Sequence, residues 1–315
     1  MSILSRRQLL AAAPTLFLII MTVLIIITSP GFFRGSTILV ILADSVVLFT
    51  LAAGLSFVIL LGSIDLSVPA VASLGGVIVA LTIPSLSYAA FPVAILAGAA
   101  AGLMSGVVHV VLRVPSFIAT LATGGVVSGL ALFISSSRTV TIAGEYRYVL
   151  TPVIGTTFGI PNIILIGAVI GLIGVYIQRY TKFGRAIRAI GANESAVRAS
   201  GIHVGRSKLI AFTIAGAFAA AGGALLAARM TSGNPSGAEQ LLLPAIAAVL
   251  VGGTAITGGT GGVAHTVIGT LIVIVMRIGM TFMGVDAFAQ QILFGTVLIC
   301  AIALTLNRGL LQVVK

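Results

Sequence analysis

Side chains capable of acid–base, nucleophilic or metal chemistry are few in this sequence and widely spaced. The 315 residues include only six Asp and Glu, three His and one Cys. His109, His203 and His265 lie in different segments without supporting Cys, so no metal site is predicted. A Ser–His–Asp triad needs convergent polar groups, and this inventory is too thin to supply them. The chain is therefore not predicted to be an enzyme.

A glycine-rich stretch, Gly258-Gly259-Thr260-Gly261-Gly262, is a second candidate for chemistry, because such loops can bind phosphate. It lacks the Gly-Lys-Ser/Thr ending of a nucleotide-binding P-loop, and no strand precedes it. We interpret it as a broken helix with close backbone packing. The chain is predicted to bind no cofactor itself.

The composition places these residues in a membrane. The sequence is 59% hydrophobic and only 7% charged, whereas a soluble domain carries about 25% charged residues. Its apolar runs are continuous, which favours spanning helices over a barrel of alternating strands. The net charge of +11 does not indicate nucleic-acid binding, because the basic residues are sparse except in one segment and lack interleaved aromatics. We predict an all-α polytopic membrane protein that contacts lipid.

Runs of about 20 apolar residues predict about ten transmembrane helices, some of them short or broken. The predicted spans are 9–29, 37–61, 66–83, 90–112, 117–135, 160–178, 208–229, 241–257, 263–284 and 287–306. With cytoplasmic N- and C-termini, twelve Lys and Arg lie inside and four outside, as the positive-inside rule requires. The chain is predicted to form one transmembrane domain, 1–315, with an external loop at 136–159.

The basic segment 179–208 is the main polar interruption of this pattern. It holds seven of the 17 basic residues and one acid, Glu194, between apolar runs. Gly191 to Asn193 predict a turn, followed by a short helix from Glu194 to Ala199. Asn193 is its predicted N-cap, and Gly201 its terminating C′ residue. A short helix on the cytoplasmic face has the shape of a docking element.

Two apolar segments with internal glycines resemble each other. Residues 57–64 end in Leu-Gly-Ser-Ile, and residues 248–255 contain Gly-Gly-Thr-Ala at the matching place. Paired interrupted segments in two halves of a chain point to a transport pathway. Chance similarity between glycine-rich apolar sequences is the alternative.

The basic segment also carries a family motif. The pattern T-x-x-G-R-x-I-x-A-I-G-x-N-x-x-A-x-x-x-S-G-I starts at Thr181 and ends at Ile202. It closely resembles the cytoplasmic coupling loop of bacterial ABC-importer permeases for ribose, xylose and arabinose, and more distantly that of branched-chain amino-acid permeases. The resemblance assigns ATPase coupling to Gly184, Arg185, Gly191, Asn193, Glu194, Ala196, Ser200 and Gly201.

Three further stretches are similar to segments of the same family. They are Gly62-Ser63-Ile64-Asp65-Leu66-Ser67-Val68-Pro69, where Ser63 and Pro69 depart from the usual pattern, Val114 to Thr123, and Glu239 to Gly262. His265 stands where a small residue is expected. The predicted substrate-path residues are Asp65, Ser67, Phe117, Thr120, Thr123 and Asn234.

Several of these residues keep a structural alternative. Asp65 fits an N-cap of the third helix better than a substrate contact. Thr120 and Thr123 can bond their own helix carbonyls, and Phe117 can pack against lipid or core. Arg277, inside a span, fits either an ion pair with Asp44 or Asp286 or a position in the pathway.

The resemblance implies a permease subunit of an ABC importer in the bacterial inner membrane, for a monosaccharide or similar small polar solute. It implies partner subunits: two cytoplasmic ATPases that hold ATP and Mg²⁺, a periplasmic or surface-tethered solute-binding protein, and a second permease as homo- or heterodimer. The rival hypothesis is an ion-coupled secondary transporter, which needs membrane-embedded carboxylates. Which solute is carried does not follow from the sequence.

Overall fold

The computed structural model describes residues 3–286 together with 289, 290, 292, 293, 295, 296 and 299, with side chains from residue 12 onward. Its described part is predominantly helical. The helices are α1 Ile3–Thr28, α2 Gly35–Leu60, α3 Val68–Leu86, α4 Ala90–Val110, α5 Ser116–Ile134, α6 Thr151–Ile154, α7 Asn162–Tyr180, α8 Lys182–Ala192, α9 Glu194–Ala199, α10 Val204–Met230, α11 Leu242–Val251 and α12 Val263–Phe282. Turns of 3-10 helix cover Pro30–Phe33, Ser87–Ala89, Gly144–Leu150 and Glu239–Leu241.

The helical membrane class is confirmed. Six helical stretches of the described part are long and apolar enough to span a membrane, and Ala12–Thr28 and Glu239–Val251 are shorter apolar helices. The longest stretch, Val68–Val110, contains both α3 and α4. The chain breaks between them at Ser87, whose φ of 51° is incompatible with a continuing right-handed helix. Most of the predicted last span, 287–306, lies outside the described residues.

The predicted span 241–257 is wrong in its extent. Helix α11 ends at Val251, because Gly252 and Gly253 follow it and Gly253 adopts a φ of 102°. The glycine-rich stretch after it forms turns, as predicted for a broken helix, and α12 begins at Val263. Helices α11 and α12 pack against each other, so this region enters and leaves the bundle as a hairpin.

Helix α10 lies at the centre of the bundle and packs on α2, α3 and α4. Its small residues allow the backbones to approach closely, which is how helices associate in lipid. A Cβ atom on Gly223 would lie 1.7 Å from the carbonyl oxygen of Ala72 in α3. One on Gly216 would lie 2.1 Å from the carbonyl oxygen of Gly98 in α4.

The bundle has two distinct ends. The end that carries α8 and α9 is called the coupling end. At the opposite end, strand β1 (Val140–Thr141) pairs antiparallel with a strand of residues 232–233 in the loop after α10, in the register Val140↔Gly233. A second hairpin pairs residues 156–157 with 160–161. The predicted loop 136–159 thus contains a 3-10 helix and the short helix α6.

Candidate functional site

The short helix of the basic segment forms as predicted. Helix α9 spans Glu194–Ala199, and the Asn193 side chain accepts a hydrogen bond from the Ala196 backbone N–H at 3.0 Å. Ser200 follows as the C-cap, and its hydroxyl donates to the carbonyl of Ala196. Gly201 then adopts a φ of 79°, the conformation expected of a terminating C′ glycine.

Glu194 ties this helix to the central helix of the bundle. Its carboxylate accepts from Arg198 at 2.7 Å, one turn along α9, and from Lys208 at 2.8 Å, in the first turns of α10. The hydrogen bond from Lys208 is the largest cause that lowers the pKa of Glu194, and the bond from Arg198 adds to it. Glu194 is therefore ionised at neutral pH, and an ionic contact connects α9 to α10.

An apolar contact fixes the other side of α9. Val197 is buried and belongs to a cluster with Phe57 of α2 and with Ile187 and Ile190 of α8. Most of the remaining α9 surface, including Ala196, is exposed. Helix α9 is thus attached to the bundle on one face and presents its small residues outward.

Helix α8 was not predicted from the sequence. Its buried face consists of Gly184, Ile187 and Ile190, at the spacing of an amphipathic helix, and Thr181 caps it by accepting from the N–H of Gly184. The predicted turn at Gly191 is wrong, because Gly191 lies in the last turn of α8 and the break falls at Asn193. The three-residue spacing of Gly184, Ile187 and Ile190 was the available signal.

Gly191 lies where three chain segments meet, backbone against backbone. A Cβ atom there would lie 1.9 Å from the carbonyl oxygen of Leu60 and 2.5 Å from the backbone nitrogen of Gly259. The Gly259 N–H donates to the same Leu60 carbonyl at 2.9 Å. We call the contact of Gly191, Leu60, Gly258 and Gly259 the glycine junction. It joins α8 to the end of α2 and to the loop after α11.

The two glycine-interrupted segments end in the same way. Gly62 and Ser63 donate to the carbonyls of Ile59 and Val58, and Gly253 and Thr254 donate to those of Leu250 and Val249. Gly62 and Gly253 both adopt positive φ, at 74° and 102°. The resemblance noted in the sequence therefore corresponds to a shared local structure. Both segments end in turns near the coupling end, and Gly258, in the loop after the second one, contacts Gly62.

The structure brings Asp65, Ser67 and Thr120 together in a buried cluster after α2. The Asp65 carboxylate accepts from the backbone N–H of Ser67 at 2.9 Å and from its hydroxyl at 2.6 Å. Thr120 accepts from the Leu66 N–H at 3.0 Å. Asp65 is not the N-cap of α3, because Ser67 holds that position and Asp65 lies two residues earlier. Its carboxylate shapes the turn that precedes the helix.

Phe117 and Thr123 lie on different sides of α5. Phe117 is 51% exposed on the outer surface, and Thr123 is buried. The Thr123 hydroxyl is 2.6 Å from that of Ser105 in α4 and also donates to the carbonyl of Ala119. In this conformation Thr123 therefore links two helices, and its place in a solute path stays a prediction.

Asn234 lies in a cavity at the end opposite the coupling end. This cavity has a volume of about 320 Å³. Its polar lining includes Ser73 of α3, Thr139, Ser232 and Asn234, and its wall is formed by small residues of α3 and α10 such as Gly76 and Gly223. The Ser73 hydroxyl accepts from the N–H of Ala238, so the loop after α10 reaches into the bundle here. Asn234 is thus separated from the Asp65 cluster.

Arg277 forms an ion pair, one of the two possibilities left open by the sequence. Its guanidinium lies 3.7 Å from the Asp44 carboxylate, which also binds Arg229. Arg229 additionally donates to the carbonyl of Ala43. The group connects α2, α10 and α12. His265, in contrast, is exposed in the first turn of α12.

Comparison with known proteins gives a consistent result. Residues 37–302 match the family described as branched-chain amino acid transport system / permease component. The ribose import permease protein RbsC of Haemophilus influenzae is 35% identical over 289 residues, which cover 90% of each chain. RbsC of Bacillus subtilis is 35% identical over 94% of this chain and 92% of its own.

A third relative carries a different sugar in its name. The L-arabinose ABC transporter permease protein AraH of Azospirillum brasilense is 31% identical over 88% of this chain and 81% of its own. The resemblance inferred from the basic segment is therefore confirmed along nearly the whole sequence. This chain belongs to the family of branched-chain amino acid transport system permease components.

Proposed function

We propose that this chain is the membrane-spanning permease subunit of an ATP-binding-cassette importer and conducts a monosaccharide or a similar small polar solute across the bacterial inner membrane. The observation that carries the proposal is the capped helix α9, anchored by Val197 and tied by Glu194 to Lys208 of α10. A helix presented in this way is suited to receive force from a soluble partner. Ribose and arabinose, which appear in the names of the relatives, are the first solutes to test.

Two contacts are proposed to transmit movement of α9 and α8 into the bundle. The first is the ionic contact between Glu194 and Lys208 of α10. Helix α10 extends from the coupling end to the cavity that Gly223 lines. The second is the glycine junction, which joins α8 to the end of α2 and to the loop after α11. ATP-driven closure of two partner ATPases, which hold the ATP and Mg²⁺, would shift both contacts and rock the helices between two states.

The cavity that contains Asn234 is the proposed entry for the solute. Its hydroxyl and amide groups suit a sugar, which offers many hydrogen-bonding groups and no charge. A solute-binding protein docked at this end would release the solute into it. Asp65, Ser67, Phe117, Thr120 and Thr123 are proposed to lie along the later path, where their hydrogen bonds rearrange in the other state.

The proposed topology has ten spans, cytoplasmic termini and a single domain over residues 1–315. The clustering of basic residues at the coupling end supports a cytoplasmic position for that end. A second permease subunit completes the transmembrane dimer. An ion-coupled secondary transporter is the other candidate, and purified chain that transports alone without ATP would favour it.

Reconstitution with the partner ATPase and binding protein tests the proposal. We expect ATP-dependent uptake of radiolabelled ribose or arabinose and no uptake of leucine. Glu194→Arg places three cations together at α9 and should abolish both uptake and co-purification of the ATPase. Glu145→Arg makes the same charge change at the opposite end and should leave the ATPase bound. If Glu194→Arg keeps the ATPase and full uptake, α9 is not the coupling element.

A further inference from the structure

The corner between α7 and α8 forms a basic cavity that takes no part in the two proposed coupling contacts, although Gly184 and Arg185 in its lining are predicted coupling residues. It has a volume of about 350 Å³ and lies at the coupling end. Three arginines line it, Arg179 at the end of α7 and Arg185 and Arg188 on the exposed face of α8. Arg185 thus faces this cavity, which we call the arginine pocket.

The charge of the arginine pocket is not balanced by an acid in the part of the chain that the structure describes. Among the described residues, Glu194 and Asp44 are acids that form ion pairs. Their partners are Arg198, Lys208, Arg229 and Arg277, none of which lines the pocket. Arg188 donates instead to the neutral carbonyl of Gly261 at 3.4 Å. Three guanidinium groups around one cavity repel each other, and a bound anion would relieve that repulsion.

A buried amide also lines the pocket without full satisfaction. Gln178 is 4% exposed, and its side-chain oxygen accepts from the N–H of Val263 at 2.8 Å. Its amide nitrogen has no hydrogen-bond partner within the described residues. A buried donor without an acceptor is costly, but this nitrogen is too deeply buried for direct contact with an ion in the pocket, so the case for an anion rests on the arginines.

An apolar groove lies along α7 further from the coupling end than the arginine pocket. The groove has a volume of about 580 Å³ and lies between α2, α7 and α12. On α7 the groove is lined by Gly167, Gly171 and Val175, which are four residues apart and share one helix face. One further step of three or four residues reaches Gln178 and Arg179, which line the arginine pocket. From Gly167 to Arg179 the helix rises roughly 18 Å, about the hydrocarbon depth of one leaflet.

Two stacked tyrosines mark the level of the membrane surface at this corner. Tyr176 and Tyr180 are 62% and 69% exposed, and their ring centroids lie 5.9 Å apart. Tyrosine is enriched at the headgroup level, where its ring and its hydroxyl meet different surroundings. Tyr180 also lines the arginine pocket, which therefore lies at the depth of lipid phosphates.

We propose that an anionic phospholipid binds at this corner, with its phosphate in the arginine pocket and an acyl chain in the groove along α7. The phosphate accepts hydrogen bonds from Arg179 and Arg188 and offsets part of their mutual repulsion, and the acyl chain covers apolar side chains between α7 and α12. Because α8 ends at the glycine junction and α9 follows it directly, a lipid held here stabilises the segment that meets the ATPase. The site thus makes coupling dependent on anionic lipid.

The proposal is tested by lipid binding to the purified full-length chain, measured by native mass spectrometry without transport. The probes are phosphatidylglycerol and phosphatidylcholine with identical acyl chains. The wild type should prefer phosphatidylglycerol. Arg179→Ala with Arg188→Ala should weaken its binding roughly tenfold or more, as expected for two basic residues near an anionic headgroup. Arg113→Ala with Arg206→Ala makes the same charge change at the same end and should not.

Two further variants separate a lipid from a free anion and from a folding defect. Ala168→Phe fills the groove from an exposed position and should weaken phosphatidylglycerol binding without touching the arginines. Arg179→Lys with Arg188→Lys should keep the preference for phosphatidylglycerol at reduced strength. Competition by inorganic phosphate combined with no effect of Ala168→Phe would show a free anion and overturn the proposal.

Two other results would also overturn it. Equal binding of both lipids to the wild type would remove the role of charge. The double variant Arg179→Ala with Arg188→Ala could also lose the co-purifying ATPase while it still binds phosphatidylglycerol at wild-type strength. That result would show that these arginines face the ATPase instead.

Discussion

Gly191→Ala is the most direct perturbation of the glycine junction. The added Cβ would lie 1.9 Å from the Leu60 carbonyl oxygen, whereas ordinary contacts begin near 3.4 Å. The end of α2 and the last turn of α8 must therefore separate by about 1.5 Å. Overpacking of this kind costs about 1–3 kcal/mol. Loss of the Gly259 N–H bond to Leu60 would add ~1 kcal/mol.

An opposing effect has to be subtracted. Alanine is favoured over glycine inside a helix by up to about 1 kcal/mol. Gly125→Ala in α5 provides that effect alone, because nothing lies within 4 Å of its added Cβ. The difference between the two variants therefore isolates the steric conflict at the junction.

The assay combines thermal unfolding with ATP hydrolysis and uptake in the reconstituted importer. We expect a lower unfolding midpoint for Gly191→Ala than for Gly125→Ala, and less uptake per ATP hydrolysed. Uptake should fall more than ATP hydrolysis, because the ATPase still docks on α9 while the link to α2 is displaced. Wild-type midpoint and uptake in Gly191→Ala would refute the reasoning that this contact is both tight and part of the coupling route.

Three other expectations concern the ionic and capping contacts. Asn193→Ala removes the acceptor for the Ala196 N–H, should destabilise α9 by about 1 kcal/mol, and should weaken ATPase co-purification, whereas Asn193→Asp should preserve it. Asp44→Asn leaves Arg229 and Arg277 without their shared carboxylate and should lower the unfolding midpoint. Asp44→Glu keeps the charge, and its midpoint should lie closer to that of wild type. Because the folded-state pKa of Glu194 is lowered, its ion pairs stabilise the protein at neutral pH and are lost only as the pH falls below the usual Glu pKa of about 4.3 toward the lowered value. The difference in unfolding midpoint between wild type and Glu194→Gln should therefore stay constant from pH 7 to about pH 5 and shrink only below the usual Glu pKa of about 4.3, and a difference that stays constant down to about pH 2 would contradict the assignment.

Helix α9 was predictable because its signals are local. The Asn193 cap and the Gly201 end act within a few residues of the helix they delimit, and both appear in the structure at the predicted positions. The apolar runs likewise predicted most spans, since each run is long enough to cross a bilayer by itself. Local chemistry was sufficient wherever the structure is decided within one segment.

The glycine junction was not predictable in the same way. Gly191 is in a helix rather than a turn because Leu60 and Gly259, distant in sequence, occupy the space next to it. The short extent of α11 has a related cause, as the chain after Gly252 turns to reach this contact. In sequence alone, a glycine indicates conformational freedom. At position 191 glycine is needed because it has no side chain to collide with Leu60.

Asp65 illustrates a different limit. A carboxylate before a helix predicted a cap, and the actual bonds go to the backbone N–H and hydroxyl of Ser67. The difference of two residues follows from Thr120, which accepts from the Leu66 N–H and so sets the path of the turn from another helix. No pattern within residues 62–69 records that partner.

The two links from the basic segment reach different parts of the bundle, which constrains how it can move. The bond from Glu194 to Lys208 acts on α10, whose far half lines the Asn234 cavity. The glycine junction acts on α2 and on the loop after α11, and so on the turn that holds Asp65. Helix α10 also packs on α2 through close backbone contacts. A movement of α9 that shifts α10 alone would therefore strain the contact between α10 and α2. Helices α8 and α9 therefore have to move together with both, which favours a rigid rocking of the coupling end over a local hinge at α9.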